Sequence, residues 1–199
     1  MSKYNLNDGY NNDFFKSNAI EQYTLGRFLI PRLKEMFNPN RVLDVGCAAG
    51  GQIEVWRKNN TESFGLEGSE NAWNIASHYA KQYMKLFDLR NDVKEVFFNN
   101  IDMVQSYEVA EHIEEEFANN YVDVMCMHNP NNIIMTAAPP GQGGTHHVNC
   151  QPKEYWIEKI EKKGYKFNQQ KVDEIVSWGI SDEIPFPNWW PKNVMIFEK

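Results

Sequence analysis

From Arg41 onward, short apolar runs alternate with stretches of helical period, and that alternation predicts the fold. Strands are expected over residues 41–45, 63–67, 84–87, 101–105, 133–138, 165–168 and 193–198. Helices are expected between them over 51–59, 70–82, 108–125, 153–163 and 169–178. Seven strands interleaved with helices predict an α/β architecture, a mostly parallel sheet covered on both faces, with ligands at the carboxyl ends of its strands. Ahead of the sheet, Ile20, Tyr23, Phe28, Leu29, Leu33, Met36 and Phe37 recur at helical spacing, and Pro31 marks a kink or break between two helices. Residues 1–18 are polar, with Tyr4, Tyr10, Phe14 and Phe15 scattered among them. They read as an arm ahead of a single domain over 19–199. The Gly- and Pro-rich stretches 137–144 and 185–191 read as loops over a site.

Composition narrows the class of protein. Hydrophobic residues make up 42% of the chain and charged residues 24%, which is the make-up of a folded globular protein. The apolar runs are too short to cross a bilayer and no secretory leader is recognisable, so a cytoplasmic location is expected. Cys47, Cys126 and Cys150 are odd in number and lack a CxxC spacing, against both a disulfide framework and a zinc site. A net charge of -7 disfavours nucleic acid, which needs clustered Lys and Arg, and favours a small or uncharged acceptor.

The chemistry starts in the run Val42-Leu43-Asp44-Val45-Gly46-Cys47-Ala48-Ala49-Gly50-Gly51, where a buried strand passes an acidic residue into a glycine-rich turn and then a helix. A phosphate loop would carry Lys after the glycines, and a dinucleotide fingerprint would read GxGxxG; neither is present. Asp44 would repel a pyrophosphate but suits the ammonium group of a methionine moiety. Two further acidic residues end the next strands, Glu67 in Phe64-Gly65-Leu66-Glu67-Gly68 and Asp88 in Leu86-Phe87-Asp88-Leu89. A single carboxylate offers two acceptors to a vicinal diol.

On these residues the chain resembles the class I S-adenosylmethionine-dependent methyltransferases. The resemblance implies a Rossmann-like seven-stranded sheet whose last strand is antiparallel. It also implies a cofactor site of Asp44, Gly46, Cys47, Ala48, Gly50, Glu67, Gly68, Phe87, Asp88, Ser106 and Tyr107. In that assignment Asp44 meets the amino-acid end, Glu67 the ribose and Asp88 the adenine amine. Ala48 stands where the family more often has glycine.

After the fourth strand comes Glu108-Val109-Ala110-Glu111-His112, whose first, fourth and fifth residues share one face if they open a helix. Hard oxygen ligands with an imidazole suit Mg²⁺ or Mn²⁺. Acidic residues also favour a first helical turn with no function at all, and Glu114, Glu115 and Glu116 read as a solvated face. The ExxEH pattern resembles the ubiquinone-pathway O-methyltransferases and the small-RNA 2′-O-methyltransferases. That resemblance implies a divalent cation on Glu108, Glu111 and His112, with His147 from Gly143-Gly144-Thr145-His146-His147-Val148-Asn149 as a fourth ligand. The latter stretch is similar to a loop of sugar-directed methyltransferases, where one histidine faces the acceptor; His147 takes that place, and His146 is the candidate proton acceptor. The catalytic candidates are therefore His147, His146 and Glu111. His78 and His128 read as structural, and Cys47 as a packing residue.

The expected activity is O-methylation of a hydroxyl on a sugar, glycan or other small molecule. Trp156, Trp178, Trp189 and Trp190, with Pro185 and Pro187 nearby, offer flat apolar faces to a sugar, and Trp189-Trp190 is the pair expected near the surface. A similarity to methyltransferase domains of viral and bacterial glycan-processing proteins points the same way. Three other readings stay open. An RNA ribose 2′-O-methyltransferase would need a basic strip such as Lys58, Lys81 and Lys85. A quinone or phenol O-methyltransferase would need a membrane-touching helix. A non-catalytic cofactor-binding subunit would turn nothing over.

Overall fold

A computed structural model of the chain describes residues 10–93, 98–180 and 189–199; Tyr4, Pro185 and Pro187 lie outside them. The chain gathers into two compact units, one ending at Leu89 and one starting at Arg90.

The first unit begins with α1 (Asn12–Phe37), capped by the Asn11 side chain, which accepts from the Phe14 N–H at 2.9 Å. Residues 12–18 of the expected arm are thus helical, and Phe15 is buried. The break expected at Pro31 is absent. Proline cannot donate to the Arg27 carbonyl and crowds it. The helix nevertheless runs on, because Leu25, Leu29, Ile30 and Leu33 bury one face across that turn. The Arg32 guanidinium also donates to the neighbouring Phe28 carbonyl at 3.0 Å.

Then follow β1 (Arg41–Val45), α2 (Gly51–Lys58), β2 (Glu62–Glu67), α3 (Glu70–Ile75), α4 (His78–Lys81) and β3 (Met84–Leu86). One helix was expected over 70–82, but Ala76 turns extended at ψ 139, and the Ser77 hydroxyl starts a new helix by accepting from the Ala80 N–H at 3.0 Å. Strands β1, β2 and β3 pair in parallel, with Asp44 opposite Gly65 and Glu67 opposite Leu86. Cys47, Ala49, Ile53, Ala80 and Met84 pack together beneath the turn that follows β1. Helix α1 passes so close to the start of α2 that a β-carbon on Gly51 would meet Ala19 O and Tyr23 N at 3.0 Å.

The second unit holds β4 (Met103–Tyr107), two single 3-10 turns at Ala110–His112 and Glu115–Phe117, α5 (Ala118–Cys126) and β5 (Asn132–Thr136). It continues through α6 (Lys153–Glu161), β6 (Lys166–Phe167), α7 (Gln169–Ser177), α8 (Trp190–Asn193) and β7 (Met195–Glu198). β4 and β5 are parallel, whereas β7 runs antiparallel to both β5 and β6. The seven strands form one sheet in the order β3-β2-β1-β4-β5-β7-β6.

The helix expected from 108 starts only at Ala118, because its carbonyls are claimed from elsewhere. The N–H groups of Val148 and Asn149 both donate to Glu111 O at 3.0 Å, and the Asn149 side chain donates to Ile113 O at 3.0 Å. Helix would need those same acceptors. At the other end, Asn193 closes α8 instead of opening the last strand. Trp156 and Trp190 are fully buried, so Trp190 belongs to the core and not to an exposed aromatic pair. Among the described residues no helix is long and apolar enough to cross a membrane.

Candidate active site

At the end of β1 the chain passes from buried Asp44 into a turn where Gly46, Ala48 and Gly50 take φ of 78°, 47° and 77°. Three left-handed residues in five keep the backbone clear of side chains, as a close-approaching ligand requires. Ala48 accepts the strain that glycine would avoid, and its N–H is held by Glu67 Oε2 at 2.8 Å. Glu67 Oε1 accepts from the Ser69 N–H at 2.7 Å, and Gly46 and Cys47 donate to Leu66 O at 2.9 and 3.0 Å. The glycine turn is therefore latched to the end of β2 by the carboxylate expected to meet the ribose.

Burial pushes the Glu67 carboxyl up to about 7, against the pull of the Ser69, Ala48 and Gly68 amides. Burial, reinforced by the charges of Asp44 and Glu67, also pushes the Cys47 thiol up, so it is a neutral packing group and no nucleophile. Its sulfur fills the space over Gly65, where a β-carbon would come within 2.5 Å. The Phe87 N–H donates to Glu67 O at 2.9 Å; Asp88 and Gly68 are half-buried beside it. The residues present fit an adenosyl sulfonium. A carboxylate has about four lone-pair positions, and the well-formed bonds from Ala48 and Ser69 take one on each Glu67 oxygen, leaving acceptor capacity for a diol.

In the second unit Glu111, His112 and His147 bring one ligand atom each within 4.8 Å of the others. Glu111 has no exposed surface, and neither of its carboxylate oxygens has a well-formed hydrogen bond. Its pKa is raised well above the ordinary carboxylate value by burial first and by the charge of Glu108 second. His112 Nδ1 donates to the His146 carbonyl at 3.1 Å and His147 Nδ1 to the Gln142 carbonyl at 3.3 Å. The Nε2 of His147 lies 4.0 Å from Glu111 Oε1. Burial holds His112 down to about 4, in the neutral form a metal ligand needs. The His146 backbone, at φ 53, aims its carbonyl at His112.

Glu108 lies outside that trio. At φ 53 it donates its N–H to Thr136 Oγ1 at 2.9 Å, and its carboxylate is taken by two amides described below. Ser106 and Tyr107 end β4, buried; the Ser106 hydroxyl accepts from the Tyr121 hydroxyl at 2.8 Å, and the Tyr107 ring meets that of Trp190 at 5.7 Å. Three residues of this site escaped sequence reading: Gln142, Asn149 and Asn193. The first two stand inside the Gly-rich stretch already singled out, where a polar residue among glycines was the available signal. Asn193 had none.

A divalent cation fits the trio: a fully buried carboxylate with no well-formed hydrogen bond, faced by two imidazoles, is costly unless a cation pairs with it.

No protein-family model and no curated protein matches this chain. Solved structures do. The methyltransferase domain of the bacterial protein CtHen1 is 20% identical over 90% of this chain and 99% of that one, with a TM-score of 0.59. The sugar N-methyltransferase KedS8 of a Streptoalloteichus species is 12% identical over 100% and 96%, at 0.70. Magnesium protoporphyrin IX methyltransferase of Synechocystis, with bound SAH, is 13% identical over 99% and 89%, at 0.60. This chain has the Rossmann-like fold of the class I S-adenosylmethionine-dependent methyltransferases.

Proposed function

We propose that this protein transfers the methyl group of S-adenosylmethionine to a hydroxyl of a sugar or glycan, assisted by a divalent cation, Mn²⁺ or Mg²⁺, on Glu111, His112 and His147. The observation that carries the cation is the buried Glu111 carboxylate, which has no well-formed hydrogen bond and is faced by His147. Two nitrogen ligands favour Mn²⁺ of the pair. The fold and the latched glycine turn support the methyl donor, and a sugar acceptor accords with the name of one structural neighbour.

The donor supplies an electrophilic sulfonium methyl. Asp44 would accept from its ammonium group, Glu67 from the ribose hydroxyls and Asp88 from the adenine amine, with Phe87, Gly68, Ser106 and Tyr107 as the further cofactor-binding residues. A divalent cation held by Glu111, His112 and His147 would supply Lewis acidity, lowering the pKa of an acceptor hydroxyl. His146 takes the proton as the new C–O bond forms and the S–CH₃ bond breaks, leaving S-adenosylhomocysteine. Position does most of the rest.

The test is transfer of labelled methyl to a panel of glycosides, amino sugars, phenols and oligoribonucleotides, with Mn²⁺ or with chelator. Sugar labelling that disappears in chelator and in Glu111→Ala supports the proposal. Turnover untouched by both refutes the cation. Labelling confined to RNA or phenols refutes the acceptor. Binding of SAH with no turnover on any acceptor leaves a cofactor-binding subunit instead.

A further inference from the structure

Glu108 is the one acidic residue of the expected cation site that the trio does not include, and it is the most deliberately held. Gln142 Nε2 donates to its Oε2 at 2.8 Å and Asn193 Nδ2 to its Oε1 at 3.0 Å. Asn193 Nδ2 also donates to Gln142 Oε1 at 3.0 Å, so three side chains close a ring. They come from three distant places: the exit of β4, the Gly-rich loop after β5, and the last residue of α8. Asn193 is 1% exposed, and burying a carboxamide there is costly unless its hydrogens are used. Here both are.

The choice of donors is informative. Lysine or arginine would neutralise Glu108 and repel a cation; among the described residues no such pairing is formed. Amides fix the direction of a carboxylate and leave its charge intact. The ring is also tied to the trio by geometry, because the Gln142 carbonyl accepts from His147 Nδ1 at 3.3 Å. Glu111 and Glu108 together carry the two negative charges that balance a divalent ion, while Glu111 alone would leave one uncompensated.

Resting on the reading of Glu111, His112 and His147 as a cation site, we propose that Gln142 and Asn193 are positioning residues: they hold Glu108 as the second negative charge of that site and so set its cation affinity. Their effect passes through Glu108.

Mn²⁺ binding to the full chain, followed by calorimetry and by the paramagnetic resonance signal of free Mn²⁺, tests this without turnover. Gln142→Ala and Asn193→Ala should each weaken binding about tenfold or more, the range seen when groups orienting a ligand are removed. Glu108→Gln should weaken it at least as much, and adding Gln142→Ala to Glu108→Gln should cost nothing further. That non-additivity separates positioning from general destabilisation. Gln142 lies half-buried on a loop, so Gln142→Ala remains informative if Asn193→Ala does not fold. Unchanged affinity in a folded Gln142→Ala protein, or fully additive losses, overturns the positioning role alone. A wild-type chain that binds no Mn²⁺ overturns the cation site with it.

Discussion

Two carboxyls in this protein are buried for different purposes, and each makes its own prediction. Glu67 titrates near 7 instead of 4.5, because burial outweighs three amides. A raised carboxyl keeps a proton in the folded chain that the unfolded chain has released. Its contribution to stability, on the order of 3 kcal/mol, is thus complete below pH 4.5 and lost as pH rises through 7. If Glu67 holds the ribose as proposed, cofactor affinity runs the other way, since two hydroxyl donors need the ionised form. Calorimetric titration with SAH should show tighter binding at about pH 8 than at about pH 6, and Glu67→Gln should flatten the profile. No difference between the two pH values would remove Glu67 from the ribose. For Glu111 the readout is thermal unfolding. Mn²⁺ at about a hundred times its Kd should stabilise the wild type by roughly 2.7 kcal/mol, or about 5 °C and more. Glu111→Gln should be as stable as the wild type without metal, since it mimics the protonated acid, and should gain nothing from Mn²⁺.

At the scale of elements, what the sequence disclosed and what it hid divide along local and non-local causes. β1, α2 and β2 fall within a residue of expectation because each is dictated by its own apolar period and by glycine. The stretch from Glu108 to Phe117 was misread as helix, since nothing within it announces that Val148, Asn149 and Thr136 will take its hydrogen bonds. The same capture swings His147 toward Glu111, so one hidden set of contacts both breaks the helix and builds the site. Pro31 is the converse case, a local signal overruled by burial. Restoring the missing donor with Pro31→Ala should raise stability by about 1–2 kcal/mol in urea, the helix gain of about 3 being offset by a looser unfolded chain. Gly65→Ala should lower it by about 1–3 kcal/mol, because the new β-carbon would sit 2.6 Å from Ile53 Cδ1 and 2.5 Å from Cys47 Sγ. Since Cys47 lies in the cofactor turn, SAH affinity should fall with it. An unaltered midpoint would mean that the turn yields freely.

For the molecule as a whole, the sequence pattern carried the number of strands and their alternation with helices; the reversed direction of β7 came only through family resemblance, and the strand order was not read from the sequence at all. β7 is antiparallel because Ile133 pairs with Phe197 and Met135 with Met195, contacts sixty or more residues apart that leave no periodic trace. Charge is the whole-molecule property with the plainest functional consequence. A chain of net charge -7 gains little from releasing the counterions of a phosphate backbone, which is the main source of non-specific nucleic-acid affinity. The basic strip that could have compensated is partly spent: Lys58 meets the Tyr23 hydroxyl at 2.9 Å and Glu54 at 3.9 Å, and Lys81 reaches Asn74 O at 3.4 Å. A fluorescent oligoribonucleotide in about 0.1 M salt should therefore show no rise in anisotropy up to about 10⁻⁴ M protein, the weak end of ordinary non-specific binding. Mn²⁺ and SAH should not change that. Binding that tightens on their addition and weakens steeply with salt would shift the acceptor from a glycan to an RNA ribose, because a diol would then be reaching the cation from a polyanion despite the charge of the chain.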